Sequence, residues 1–133
     1  MCFTSKKIYP SKAVAEDALV NCLRTAEKEF RVYKTLKKEK SSGKLTYLSP
    51  IYHFKYEKGY RYDEILQLFV GKGYTNDEYL IRGTVGLHSH KRCRNTYRSF
   101  PSMYEVVEMY IPEGATYMVG LDNDIISSAL IWY

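Results

Sequence analysis

A chain of 133 residues, 45% hydrophobic and 26% charged, suffices for one domain (1–133) with its own core; it argues against a disordered tract and leaves little room for a second unit. No run approaches the roughly 18 to 20 apolar residues of a membrane span, and Met1 to Lys7 lacks the apolar core of a secretion signal, so the expectation is a cytoplasmic protein with no membrane partner. The net charge of +5 conceals a reversal, because all twenty Lys and Arg lie between Lys6 and Arg98 and residues 99–133 hold only acidic charges; this speaks against both a uniformly basic nucleic-acid coat and a carboxylate-covered DNA mimic.

In chain order, Tyr9-Pro10 disfavours helix before the proline, and Ser11 stands where an N-cap belongs. Val14, Ala15, Ala18, Leu19, Cys22, Leu23, Ala26 and Phe30 then recur at three- and four-residue steps, which predicts one long amphipathic helix reaching Phe30. Arg31 to Leu36 reads as a strand and Lys37 to Lys44 as a solvated, charged turn. Leu45 to Tyr56 is rich in β-branched and aromatic residues, with Pro50 interrupting any central strand. A turn at Glu57-Lys58-Gly59 leads into the alternating Tyr60-Arg61-Tyr62, and Asp63 to Val70 reads as a short helix ended by Gly71-Lys72-Gly73. Glu78 to Leu87 and Tyr104 to Ile111 read as strands, the second with Val107, Met109 and Ile111 on one face. Thr116 to Val119 and Ile125 to Trp132 close the chain. The expected fold class is α+β: a single small domain with an antiparallel or mixed sheet and one main N-terminal amphipathic helix.

The densest polar cluster follows the strand at Glu78 to Leu87. His88, His90, Lys91, Arg92, Arg94, Tyr97 and Arg98 are candidate ligand-binding residues, because guanidinium forks and ammonium groups hold phosphate and a tyrosine ring stacks a base. The plain alternative is an exposed basic loop. The order His-x-His-x-x-Cys over His88, His90 and Cys93 matches no zinc spacing, and Cys2, Cys22 and Cys93 match no disulfide framework, so reduced thiols, no metal and no cofactor are expected. Cys2 would become an N-terminal nucleophile if the initiator methionine were removed, but the residues after it do not continue a glycine-rich amidotransferase start. Glu105 and Glu108 point to opposite faces of a strand, which removes a paired-carboxylate mechanism.

Several segments carry a resemblance across most of the chain: Met1-Cys2 with Pro10 and Ala15-Glu16-Asp17; Leu48-Ser49-Pro50 leading to Phe54-Lys55-Tyr56-Glu57-Lys58-Gly59; Gly86-Leu87-His88-Ser89; Tyr110-Ile111-Pro112-Glu113-Gly114-Ala115-Thr116-Tyr117; and Ile126 to Ile131. In these the chain resembles small accessory proteins encoded by bacteriophages, prophages and large DNA viruses. That resemblance implies an accessory viral role, including interference with host defence, in a host-cell cytoplasm. A second likeness, to ADP-ribosyltransferase-like folds, implies Arg31, Ser89 and Glu108 as nearest occupants of that site, although the paired acidic motif of its toxin branch is absent. The leading expectation is a binding protein for an anionic nucleotide or nucleic acid. The alternatives are an inhibitor of a host protein using tyrosine anchors, and an enzyme of the transferase-like or N-terminal-cysteine kind. Self-association into a homo-oligomer is a further expected mode of partnering.

Overall fold

The computed structural model describes residues 3–50, 53–92 and 103–133. Along the chain run β1 (Phe3–Thr4), α1 (Lys12–Val20), β2 (Arg24–Thr25), β3 (Phe30–Ser41), β4 (Lys44–Leu48), β5 (Lys55–Tyr56), β6 (Tyr60–Asp63), β7 (Gln67–Lys72), β8 (Tyr79–Val85), β9 (Leu87–His90), β10 (Tyr104–Ile111), β11 (Thr116–Val119), β12 (Asp124–Ser127) and β13 (Ala129–Trp132). Every strand pairing among the described residues is antiparallel. The α+β expectation with a main helix is therefore overturned: the fold is β-rich, and its α-helix has nine residues.

The helix starts where the sequence says it should, with Ser11 Oγ accepting from Val14 N at 3.2 Å. It stops at Asn21, well short of Phe30. The apolar stripe is a coincidence of period, because its two halves serve different cores. Ala15, Ala18, Leu19 and Cys22 pack with Tyr9 and Ile81, whereas Ala26 joins the main core and Phe30 opens β3. Pairing of Arg24 and Thr25 with β11 settles the chain as strand there; long-range pairing outweighs local periodicity. The short helix expected over Asp63 to Val70 is likewise replaced by β7, which runs on through Gly71 to Lys72 beside β8. Leu68 and Val70 turn inward at every second residue, a period of two rather than 3.6.

β3 organises the larger sheet, whose strand order is β2-β11-β12-β9-β3-β10-β13-β6, with β4 and β5 branching from β3. One edge of β3 pairs with β10 from Phe30 to Lys37; the other meets β9 at Tyr33 and β4 from Lys37 onward. The sheet curls, because rings from strands that share no hydrogen bonds meet across it. Tyr56 of β5 lies 4.8 Å from Tyr62 of β6, Tyr47 lies 5.3 Å from Trp132, and Phe30 lies 5.1 Å from Tyr117. Val32, Leu36, Val107, Met109, Ile111, Ile125 and Leu130 fill the concave side. A second sheet, β1-β8-β7, packs α1 against Ile81, Leu68 and Val70, and the same face meets Ile126 of the larger sheet at Gly83. Gly86 makes that approach possible: its φ is +144°, and a Cβ there would lie 2.7 Å from Ile126 Cγ1.

Candidate functional site

Strand alternation places Lys34 between Val32 and Leu36 on the concave face of β3. It is 6% exposed. Its Nζ donates to the His88 carbonyl at 2.5 Å and stands 5.2 Å from the centroid of the buried Tyr56 ring. Among the described residues no ion pair joins it to a carboxylate. An ammonium has three donors, and the tyrosine face offers only partial compensation through its quadrupole. Burial therefore pushes the Lys34 pKa down to about 8.

β9 supplies the facing residues. Tyr33 pairs with His90, so counting along the antiparallel register sets Lys34 opposite Ser89 and Thr35 opposite His88. Ser89 shares the concave face with Ile125, its partner on β12, and is 2% exposed. On the convex face, His90 pairs with Asp124 and its Nδ1 lies 2.8 Å from Asp124 Oδ1. That approach is off the ring N–H direction, so it is an ion pair when the imidazole is protonated rather than an aligned hydrogen bond. His88 is half-buried on the same face. Desolvation, reinforced by the Lys34 charge, holds its pKa down to about 4, so it is neutral. Its hydrogen bond goes to the Thr84 backbone, while Nε2 has no partner.

Four buried polar atoms make no aligned hydrogen bond among the described residues: Thr35 Oγ1, His88 Nε2, Ser89 Oγ and His90 Nδ1, the last with Asp124 Oδ1 2.8 Å away. All four lie on the seam between β3 and β9. Buried polar groups are nearly always satisfied; Thr35, His88 and His90 carry theirs on the convex face, and Ser89 Oγ is the one that shares the concave face with Lys34. Aromatic rings lead outward from it. Tyr56, beneath Lys34, contacts Phe54 at 5.1 Å and Tyr62 at 4.8 Å, and Phe54 is 48% exposed. Ser49 Oγ accepts from Phe54 N at 2.8 Å and fixes that end of the aromatic row.

Of the residues singled out in the sequence, His88 and His90 are strand residues sharing the convex face, rather than members of a basic loop. Lys91 and Arg92 follow the strand end and are exposed. Arg94, Tyr97 and Arg98 lie outside the described residues, as do Cys93 and Cys2, so the expected convergence of that basic segment is not part of the site described. The transferase-like trio does not gather. Arg31 Nη1 sits 3.7 Å from Glu108 Oε1 at the surface, while Ser89 faces the concave core. Glu105 and Glu108 do lie on opposite faces, opposite Leu36 and Tyr33 respectively. Sequence reasoning misses Lys34, Thr35, Tyr56 and Asp124, and for Lys34 a signal is present: a cation alternating with Val32 and Leu36 must share their buried face.

Among the described residues no group of three or more His, Cys, Asp or Glu side chains is placed to hold a metal, and no helix is long and apolar enough to cross a membrane. No family model, curated protein or solved structure matches the chain.

Proposed function

We propose that the chain is a binding protein for a small anionic ligand of the nucleotide class, held at the β3–β9 seam. The observation that carries this reading is Lys34, a buried cation that lacks a counter-ion among the described residues. Removing a charge from water is costly unless an opposite charge replaces the lost hydration, and an anionic oxygen would supply it. Ser89 Oγ, unpartnered across the register, offers a hydroxyl donor to the same oxygen. The row Tyr56, Tyr62, Phe54 adds a π surface leading from the ammonium to solvent, which suits a base attached to the anion. A viral accessory role, implied by the sequence resemblance, would be exercised through this binding.

Calorimetric titration with adenosine monophosphate, inorganic phosphate and adenosine tests the reading. The monophosphate binds best, and its affinity falls above pH 8 as Lys34 loses its proton. Lys34→Met abolishes binding of both phosphate-bearing probes, while Phe54→Ala weakens only the monophosphate. Undiminished affinity in Lys34→Met would rule the seam out.

A further inference from the structure

The end of β3 and the start of β4 form a feature separate from the seam. β10 accompanies β3 as far as Lys37, the Met103 carbonyl just before β10 still accepts from Lys38 N at 2.7 Å, and β5 accompanies β4 at Tyr47 and Leu48. Between these limits Glu39, Lys40 and Ser41 pair solely with Thr46, Leu45 and Lys44. The result is a two-stranded ribbon whose outer edges are unpaired among the described residues, reversed by Ser42 and Gly43 at φ 52° and 79°. Two successive positive φ values are the signature of the type I′ turn, whose twist matches the strands and keeps them paired to the tip.

The ribbon and its base are basic. Lys40 and Lys44 on the ribbon, with half-buried Lys37 and Lys38 at its base, stand against the single acid Glu39, and residues 39–45 are all exposed. No ion pair among the described residues engages any of these four lysines. They occupy both faces: Lys38 and Lys40 alternate onto one, Lys37 and Lys44 onto the other. A flat binding platform needs cations on one face only, whereas an element inserted between two charged walls needs them on both. Three residues per strand reach about 10 Å at 3.4 Å per residue, which exceeds the roughly 8.5 Å depth of the major groove of B-form DNA; that groove, roughly 12 Å wide, admits a two-stranded ribbon.

We propose that the β3–β4 ribbon is a DNA-contacting element that enters the major groove of a duplex and sets its lysines against the flanking phosphates. The contact is sequence-tolerant and electrostatic, and it does not depend on the seam.

Fluorescence anisotropy with a labelled duplex of about 20 base pairs, across roughly 50 to 200 mM salt, tests it. Log affinity should fall linearly with log salt, and Lys40→Gln with Lys44→Gln should reduce that slope by about 2, roughly 0.9 for each phosphate no longer neutralised. Both side chains are exposed, so the variant keeps its fold, checked by its circular dichroism spectrum and melting temperature. Single-stranded DNA and duplex RNA bind more weakly, since the A-form major groove is too narrow to enter. Lys34→Met leaves duplex binding unchanged while losing the monophosphate, so the two sites fail independently. The proposal is overturned by no duplex binding at the lowest salt, by an unchanged slope in the double variant, or by equal or tighter binding of single strands. Aggregation of the double variant with its DNA affinity intact would also overturn it, because the lysines would then serve only to keep an unpaired edge apart from other edges.

Discussion

Lys34 and His88 lie on opposite faces of the same strand junction, and the Lys34 charge adds to the burial that keeps His88 neutral. Burial brings Lys34 from an ordinary value near 10.5 down to about 8, so the unfolded chain holds a proton in that interval that the folded chain has released. Stability therefore rises between pH 8 and pH 10.5, by roughly 3 kcal/mol at about 1.36 kcal/mol per pKa unit. Burial of Tyr56 raises its pKa and so opposes this gain above about pH 10, which leaves roughly pH 8 to 10 as the informative window. His88, brought from 6.5 down to about 4, makes stability fall as pH drops through that range. Urea unfolding of Lys34→Met, an apolar replacement of similar length, should show higher stability at neutral pH and no rise across that window. The His88 ring in that variant should titrate at higher pH by NMR, because one of the causes depressing it is gone. A wild-type profile flat across the window contradicts the buried-cation account. Two serines supply a matching contrast. Ser127 Oγ donates to the Ala129 carbonyl at 3.1 Å, whereas Ser89 Oγ bonds to nothing among the described residues. Ser127→Ala should cost about 1 kcal/mol, and Ser89→Ala should be neutral or stabilising in the absence of ligand. Equal losses in thermal melts would mean that Ser89 has a partner after all.

At the scale of elements, the sequence is most readable where local pattern and long-range pairing agree. Tyr104 to Ile111 alternates cleanly, and β10 occupies that span with Val107, Met109 and Ile111 buried. Thr116 to Val119 is likewise β11, and the Pro112-Glu113-Gly114 turn before it is where the chain reverses, Gly114 at φ +86°. Reading fails where one pattern fits two structures. The stripe from Val14 to Phe30 has helical period because two unrelated apolar sets, one for each core, fall in phase by chance. Lys37 to Lys44 looks like a loop because charge and Ser-Ser-Gly signal exposure, and exposure is correct; yet a two-stranded ribbon is exposed on both faces and needs no apolar alternation to form. The candidate site is legible only in part for a related reason. His88 and His90 stand out by residue type, but their partners come from β3, far earlier in the chain, and from Asp124 on β12. No local window holds that adjacency.

For the whole molecule, sheet topology reorganises the charge reversal along the chain. The acid-bearing strand β10 lies beside the cation-rich β3 over eight residue pairs, and Asp124 comes to rest against His90, so opposite charges from distant segments interleave instead of forming two poles. The lysines of the ribbon and the cation buried in the seam are among those that no ion pair of the described residues engages. The same topology sets the hierarchy of stability. β3 is joined on both edges by strands from far along the chain and backs onto the main core, so its amides open only when the whole sheet does. Among the described residues the ribbon has one pairing and no core behind its tip, while α1 packs on the smaller cluster with Val14 and Val20 exposed. Native-state hydrogen exchange should accordingly be slowest at Val32 to Leu36 and Val107 to Ile111, intermediate in α1 and fastest at residues 39–46. Added monophosphate should slow exchange at Lys34 and Ser89 without protecting the ribbon, whereas duplex DNA should protect the ribbon and leave the seam as it was. Ribbon amides as slow as those of the β3–β10 pair in the free protein would show that the ribbon is covered, and would remove the exposed edges and unpaired lysines on which its contact with DNA depends.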